Sequence, residues 1–385
     1  MDEPITPVPQ DDPGEASGPK HHIHWWMIEA VSVVIVVVVV AMAAWQLGRG
    51  SIATPAANRQ AGSTPSPSAA PSSEAAATTL TLSATKNYGD KYANGLLPVG
   101  DSKYTTSGSK KGYVYVCNAN FVPAGQAGAQ NRGPWFTNNN TQYDINKKSH
   151  IAGSVSWTPS LSVTMSGGKR VITTNDLPDH KTGVFPVAAS DPSRAYDANP
   201  NTIKSQSLTY TLDGAPKAGD PSCVGGEVGV MLTGVALFDG FDAGGRDAGA
   251  WEIQDGCDGH PQDKGEYHYH TLSKCITTAT VDTVIGYALD GFPITGPKVA
   301  DNNILTTDDL DECHGITSQI TLDGKKVTMY HYVMTQDFPY SVSCFRGTAI
   351  KAPGLPEGSG GGGAPTPPPS VTPPPHQGLP PTPLR

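Results

Sequence analysis

The chain has 385 residues, of which 43 are glycine, 35 are proline and only 16% are charged. This composition limits how much of the chain can pack, so we expect one sizeable ordered domain. The formal net charge of -9 provides no basic surface for nucleic acid and no polybasic patch for a membrane surface. Nucleic acid is therefore not an expected partner.

The N-terminal region predicts a single membrane span. Residues 1–24 are polar and predict a disordered cytoplasmic tail, whereas residues 25–45 are almost entirely apolar. As a helix rising about 1.5 Å per residue, the second segment would span about 30 Å, which is the thickness of a bilayer core. Trp25, Trp26 and Trp45 stand where interfacial aromatic residues are expected. We therefore predict a single-pass protein of the cell membrane that has the lipid bilayer as a partner.

Cleavage of this anchor is an open alternative, because Ala41-Met42-Ala43 forms an A-x-A pattern after a short apolar core. The long acidic leader favours an uncleaved signal anchor. Lys20 precedes the span while Arg49 and Arg59 follow it, so the basic residues lean weakly against an inside N-terminus. The cysteines outweigh this bias and predict that the main domain is extracytoplasmic.

The remainder of the chain divides into three parts by composition. Residues 46–79 are rich in alanine, serine and proline and predict a flexible linker. Residues 80–351 have the composition of a globular domain. Residues 352–385 are rich in glycine and proline and predict a disordered tail.

Short alternating apolar runs predict that the domain is mainly β. The predicted strands are Tyr113–Val116, Ser160–Met165, Lys169–Thr173, Ser207–Leu212, Gly229–Phe238, Val284–Leu289 and Lys325–Met334. Asp-Gly pairs punctuate these runs, and Asp323-Gly324 is the strongest hairpin signal. We expect single-turn helices at most, near Thr307 to Cys313.

All six cysteines follow the apolar segment, at Cys117, Cys223, Cys257, Cys275, Cys313 and Cys344. An even number on the far side of a membrane span is typical of disulfides in an oxidising compartment. Six cysteines allow fifteen pairings. A loose echo between the segments that begin at Cys257 and Cys313 favours 257 with 275, 313 with 344 and 117 with 223, as one choice among the fifteen.

The stretch from Gly259 to His270 carries the densest chemistry of the chain. If Tyr267-His268-Tyr269-His270 is extended, the two-residue period places both histidines on one face and both tyrosines on the other. His260 precedes this motif, and His331 lies in the later run Tyr330-His331-Tyr332. The candidate metal ligands are therefore His260, His268, His270 and His331.

Imidazole is the commonest metal ligand in proteins, and zinc or copper requires three or four such donors that converge from separate segments. Asp258, Asp263 and Glu266 are nearby carboxylates that could complete the shell. The alternative is a buried cluster of histidine and tyrosine in which hydroxyls and carbonyls satisfy the ring nitrogens. A hydrolase that pairs His331 with Asp337 or Asp290 is a weaker third interpretation.

Several ordered motifs resemble the YHYH domain family. They are Gly265 to His270, Gly286 to Pro297, Leu310-Asp311-Glu312-Cys313, and Phe338-Pro339-Tyr340 continuing to Cys344-Phe345-Arg346-Gly347. The resemblance covers about residues 169–347 and implies a secreted or membrane-anchored bacterial protein, without assigning an activity. Val333 follows Tyr330-His331-Tyr332, so this later run is not a second copy of the name-giving motif.

The expected function is thus a membrane-anchored extracytoplasmic domain that binds zinc or copper through its clustered histidines. The alternative function is a module of the cell envelope that binds cell-wall polymer or braces a structure without a metal. Whether the protein is an enzyme is left open by the sequence. No G-x-S-x-G elbow and no glycine-rich phosphate loop is present.

Overall fold

A computed structural model describes residues 80–83, 85–123 and 128–353. Within these ranges the protein is mainly β, as the sequence predicts, and no helix there has the length and apolar character needed to cross a bilayer. The predicted anchor at 25–45, the tail at 1–24, the linker at 46–79 and nearly all of the C-terminal tail lie outside the described residues.

The described part of the chain contains eighteen short strands. They are β1 Leu96–Pro98, β2 Tyr104–Thr105, β3 Val114–Tyr115, β4 Phe136–Thr137, β5 Gln142–Asp144, β6 Leu161–Ser166, β7 Lys169–Thr174, β8 Leu208–Asp213, β9 Glu227–Met231, β10 Ala236–Phe238, β11 Gly259–Pro261, β12 Tyr267–Tyr269, β13 Val284–Ala288, β14 Pro293–Thr295, β15 Lys298–Ala300, β16 Asn303–Ile304, β17 Gly315–Leu322 and β18 Lys325–Val333. The helical elements described are α1 Ala248–Trp251 and three 3₁₀ turns, at Asn138–Asn140, Pro192–Ala195 and Thr307–Asp309.

One eight-stranded sheet organises the fold, in the order β11-β12-β10-β9-β13-β14-β18-β17. It is mixed, because β10 with β12 and β14 with β18 are parallel pairs while its other pairs are antiparallel. Two three-stranded sheets, β1-β5-β4 and β6-β7-β8, and the pairs β2-β3 and β15-β16 lie outside it.

The main core forms where alternating apolar residues of several sheets meet. Strand β8 shows the period directly, because its buried and exposed residues alternate along its whole length. Tyr267 and Tyr269 of β12 are fully buried in this core together with Tyr210 and Phe292. The tyrosine face of the motif is therefore the packing face, and the histidines point the other way.

The structure confirms most predicted strands and divides one of them. The run Gly229–Phe238 forms β9 and β10, which are joined by a tight turn in which Gly234 has a φ of 97°. A positive φ is accessible to glycine at little cost, so this residue permits the turn. The hairpin at Asp323-Gly324 is confirmed, with both residues at positive φ between β17 and β18.

Three disulfides link the domain: Cys117–Cys223, Cys257–Cys275 and Cys313–Cys344. They are the pairs that the echo between the two cysteine segments favours. Among the described residues no cysteine is free. The first bridge joins residues 106 positions apart, whereas the second closes a loop of 18 and lies beside the histidine motif.

The long bridge should contribute more stability than the short one. Cross-linking removes loop entropy from the unfolded chain, by about 4.7 kcal/mol for a loop near 100 residues and about 3 kcal/mol near 15 residues. We expect Cys117→Ser with Cys223→Ser to lower the free energy of unfolding by more than Cys257→Ser with Cys275→Ser. Denaturant titration of both double variants measures the difference, and an equal or reversed order would contradict it.

Candidate metal centre

The register of a hairpin brings the first two histidines together. Strands β11 and β12 are antiparallel, and His260 lies directly opposite His268. Because side chains on one face of a strand repeat every two residues, His270 follows His268 on the same side. All three histidines are buried. One nitrogen of each ring lies within 4.8 Å of one from each of the others.

A buried carboxylate fixes the loop that leads into this hairpin. Asp255 Oδ1 accepts hydrogen bonds from the backbone N–H of Cys257 at 2.8 Å and of Gly259 at 3.4 Å. The Tyr267 hydroxyl donates to both oxygens of the same carboxylate, at 3.0 Å each. These bonds connect the start of β11 to β12 and so fix the position of His260 relative to His268.

Backbone carbonyls orient two of the imidazoles. His270 Nδ1 lies 2.5 Å from the Asp239 carbonyl oxygen, and His268 Nδ1 lies 3.4 Å from the carbonyl oxygen of Glu266. A carbonyl only accepts, so each Nδ1 carries the proton and each Nε2 presents a lone pair. The two Nε2 atoms face each other at 3.1 Å.

Glu252 completes the cluster, and the sequence analysis did not identify it. Its Oε2 atom lies 3.2 Å from His270 Nε2 and 3.4 Å from His260 Nε2. The residue directly follows α1, whose N-terminus is capped by Asp247. No periodic or spacing signal connects Glu252 with the histidine motif, because the helix and its cap set its position through tertiary packing.

The carboxylates that the sequence suggested have other partners. Asp258 forms an ion pair with Lys274, with Oδ1 and Nζ 3.1 Å apart, and Glu266 accepts a hydrogen bond from the side chain of Gln262. Asp263 is exposed and lines a cavity next to the cluster. The acidic residue of the cluster therefore comes from the position that follows α1 and not from the motif.

Burial controls the charge state of the cluster. Desolvation lowers the pKa of His270 to about 4 and holds the pKa values of His260 and His268 well below their usual range. For His260 the neighbouring imidazoles add to this effect. Burial also raises the pKa of Glu252 well above that of an exposed glutamate. The imidazoles are therefore neutral at neutral pH and available as ligands.

The donor set fits a metal ion. Neither ring nitrogen of His260 has a hydrogen-bond partner among the described residues. Tetrahedral coordination with metal to nitrogen distances of 2.0–2.1 Å places ligand atoms about 3.4 Å apart. Three of the separations within the cluster, 3.1, 3.2 and 3.4 Å, are close to that spacing, and one nitrogen from each of the three imidazoles lies within 4.8 Å of the others. A cation between these lone pairs would relieve their mutual repulsion.

A cavity of about 660 Å³ opens beside the cluster. All three histidines and Glu252 contribute to its wall, and Phe238, whose ring stacks on His268 at a centroid distance of 4.1 Å, contributes an apolar surface. Among the described lining residues there is no lysine or arginine. The cluster thus borders a space that a small molecule could enter, and the acidic wall favours a cation over an anion.

The structure does not bring His331 into this cluster. His331 lies on β18, where its Nδ1 is 2.9 Å from the Thr295 hydroxyl and its Nε2 is 2.8 Å from the Ser318 hydroxyl. Both ring nitrogens are therefore satisfied by hydroxyls, and His331 does not belong to the group formed by His260, His268 and His270. Asp290 and Asp337 bond elsewhere, to Tyr332 and Thr307, so the histidine-carboxylate pair of a hydrolase is not formed either.

A second group, His180 with Cys257 and Cys275, has its potential ligand atoms close together. The two cysteines form a disulfide, so their sulfurs are not free thiolates. His180 Nε2 lies 2.5 Å from the Tyr269 hydroxyl. This group braces the tyrosine side of β12.

Residues 207–306 match the family model described as YHYH protein, and the chain therefore contains a YHYH domain. The match includes β8 to β16, the histidine triad and Glu252. The resembling motifs at 310–313 and 338–347 lie beyond the matched residues. No curated protein and no solved structure matches the chain.

Because His331 is buried, we expect the free energy of unfolding to fall in acid. Burial lowers its pKa to about 4, against about 6.5 in an unfolded chain. Between these values the unfolded state binds the extra proton, so this contribution is complete above pH 6.5 and is lost as the pH falls to about 4. From pH 7 to pH 4 the free energy of unfolding should fall by roughly 3 kcal/mol more in the wild type than in His331→Gln.

Denaturant titrations of both proteins at the two pH values measure this difference. Other titrating groups are shared and cancel in the comparison. Parallel decreases in the two proteins would contradict the assignment.

Proposed function

We propose that the protein binds one divalent transition-metal ion through His260, His268, His270 and Glu252. One observation carries the proposal: three buried imidazole nitrogens and a carboxylate oxygen converge, and neither ring nitrogen of His260 has a hydrogen-bond partner among the described residues. Buried polar atoms without partners are costly, and a cation would satisfy all four at once.

The ligand types narrow the choice of ion. Three neutral imidazoles with one carboxylate suit zinc or copper, whereas calcium and magnesium prefer shells made of oxygen. The backbone carbonyls behind His268 and His270 act as outer-shell partners that fix each ring. Zinc and copper are therefore the ions to test first.

The adjoining cavity supports an ion that lies next to a space for a small molecule. A structural zinc site is normally closed, whereas a catalytic one retains an open position. Here the four ligand residues form part of the cavity wall. This arrangement supports exchangeable ligands at the metal, and we assign no catalytic step to it.

We also propose that the domain works outside the cytoplasm, at the cell envelope. Three disulfides suit an oxidising compartment, and the apolar segment at 25–45 supplies an anchor in the bilayer. Cell fractionation with alkylation of free thiols tests this location. A protein recovered in the cytosol with reduced cysteines would refute it.

Metal analysis of the purified protein tests the site. We expect about one zinc or copper ion per chain, and at least about tenfold weaker binding in His268→Gln and Glu252→Gln, because each removes a ligand. The matched control is His331→Gln, which changes a buried histidine outside the cluster and should keep the wild-type affinity. Isothermal titration of the apoprotein provides the affinities.

A wild-type protein that binds no ion stoichiometrically would remove the metal proposal. The remaining interpretation would be the envelope module without a metal, which binds cell-wall polymer or serves a structural role. Retention of full affinity in both ligand variants would instead show that the metal binds at another place.

A further inference from the structure

The two halves of the eight-stranded sheet have the same strand order and the same pairing directions. From the centre outward, β9, β10, β12 and β11 form one half, and β13, β14, β18 and β17 form the other in the same order. In each half the first pair is an antiparallel hairpin, the next contact is parallel and the last is antiparallel. The two halves are therefore related by an approximate two-fold axis.

The axis passes between β9 and β13. Val230 pairs with Tyr287 there, and the reciprocal bonds from Leu232 N–H to the Ile285 oxygen at 2.8 Å and from Leu289 N–H to the Val228 oxygen at 2.9 Å flank that pair. With Val230 equivalent to Tyr287, the segment from Gly229 to Phe238 corresponds residue by residue, without a gap, to the segment from Gly286 to Thr295. This correspondence places the turn glycines Gly234 and Gly291, with φ of 97° and 89°, at equivalent positions.

Each outer hairpin has a buried aspartate that makes the same set of hydrogen bonds. Asp311 Oδ1 accepts from Cys313 N–H at 3.0 Å, Gly315 N–H at 2.8 Å and the Tyr330 hydroxyl at 3.2 Å. These are the counterparts of the bonds that Asp255 makes in the first half. A Cβ atom on Gly259 would collide with the Tyr267 ring, and one on Gly315 would collide with the Tyr330 ring. The same close packing thus requires glycine in both halves.

The registers identify the counterpart of each ligand. His260 lies opposite His268 in one hairpin, and Ile316 lies opposite His331 in the other. Tyr269 and Tyr332 are equivalent, and their hydroxyls donate to the equivalent residues Thr233 and Asp290. The disulfides Cys257–Cys275 and Cys313–Cys344 also correspond. His268 therefore corresponds to His331, His260 to Ile316 and His270 to Val333.

We propose that the second half of the sheet contains a latent copy of the metal site, in which one of three histidine ligands, His331, is retained. This inference rests on the proposed metal site of the first half. The copy has the same strand order and register but different side chains at two of the three ligand positions. Ile316 and Val333 belong to a small apolar cluster with Val281, Leu305 and Leu310.

The side chains around these positions explain why the second half should not bind metal in the natural chain. The hydroxyls of Thr295 and Ser318 satisfy His331 in place of an ion. Partly buried Leu80 and Leu82 cover the cluster from outside. The position that corresponds to Glu252, three residues before the buried aspartate, is Asp308, whose exposed carboxylate forms an ion pair with Lys91. A restored site would thus have three histidines and no carboxylate.

The test restores the two missing ligands in the full chain, as Ile316→His with Val333→His. Zinc per chain is measured after dialysis, and thermal unfolding is followed with and without zinc. We expect the double variant to bind one more zinc ion than the wild type, more weakly than the first site because the carboxylate is absent. Zinc should raise the melting temperature of the variant by more than that of the wild type, because two histidines buried in an apolar cluster need the ion.

The matched control is Val281→His with Leu305→His, which buries two histidines in the same cluster at positions that correspond to no ligand. It should take up no extra zinc. A double variant that folds and binds no more zinc than the wild type overturns the inference, and so does one that stays unfolded at saturating zinc. A wild type that binds neither zinc nor copper, beside a variant that gains one zinc ion, would remove the proposed function and leave the inference about the second half standing.

Discussion

A buried aspartate at the entrance of each outer hairpin is the constraint on which the rest of the structure depends. Asp255 and Asp311 each accept hydrogen bonds from two backbone amides of the loop that follows and from one tyrosine hydroxyl, and burial raises the pKa of both carboxyls. Bonds of this kind hold the loop, the disulfide-bonded cysteine and the strand register in one arrangement. Without that register, His260 would not lie opposite His268, and a shift by one residue would turn each histidine toward the core.

The two halves of the sheet have equivalent strands but different side chains at the positions of the metal ligands. In the first half, histidines and Glu252 are desolvated beside a cavity, an arrangement that is unfavourable unless a ligand compensates it. In the second half, apolar side chains pack at the equivalent positions and hydroxyls satisfy the remaining histidine. Under the proposed function, the first half would hold the ion, whereas the second half has an apolar cluster at the equivalent positions. The tyrosines are common to both because they belong to the packing face.

The candidate site could be predicted in part from the sequence. The alternation in Tyr267 to His270 was sufficient to place two histidines on one face, because a strand has a fixed period of two. His260 followed from its closeness along the chain. The separate position of His331 could not be predicted, since a matching motif does not reveal that Ser318 and Thr295 lie against its ring. Glu252 had no signal, because a four-residue helix and its cap at Asp247 determine where it lies.

For the fold, the sequence by itself determined the mainly β class, the hairpin at Asp323-Gly324 and the motifs of the YHYH domain. These are local properties, set by alternation, turn chemistry and short runs of residues. Only the tertiary structure decided the order of the eight strands, the two-fold relation between the halves and the convergence of Glu252 with the three histidines. Such features depend on contacts between residues far apart in the chain, whose geometry no local pattern encodes.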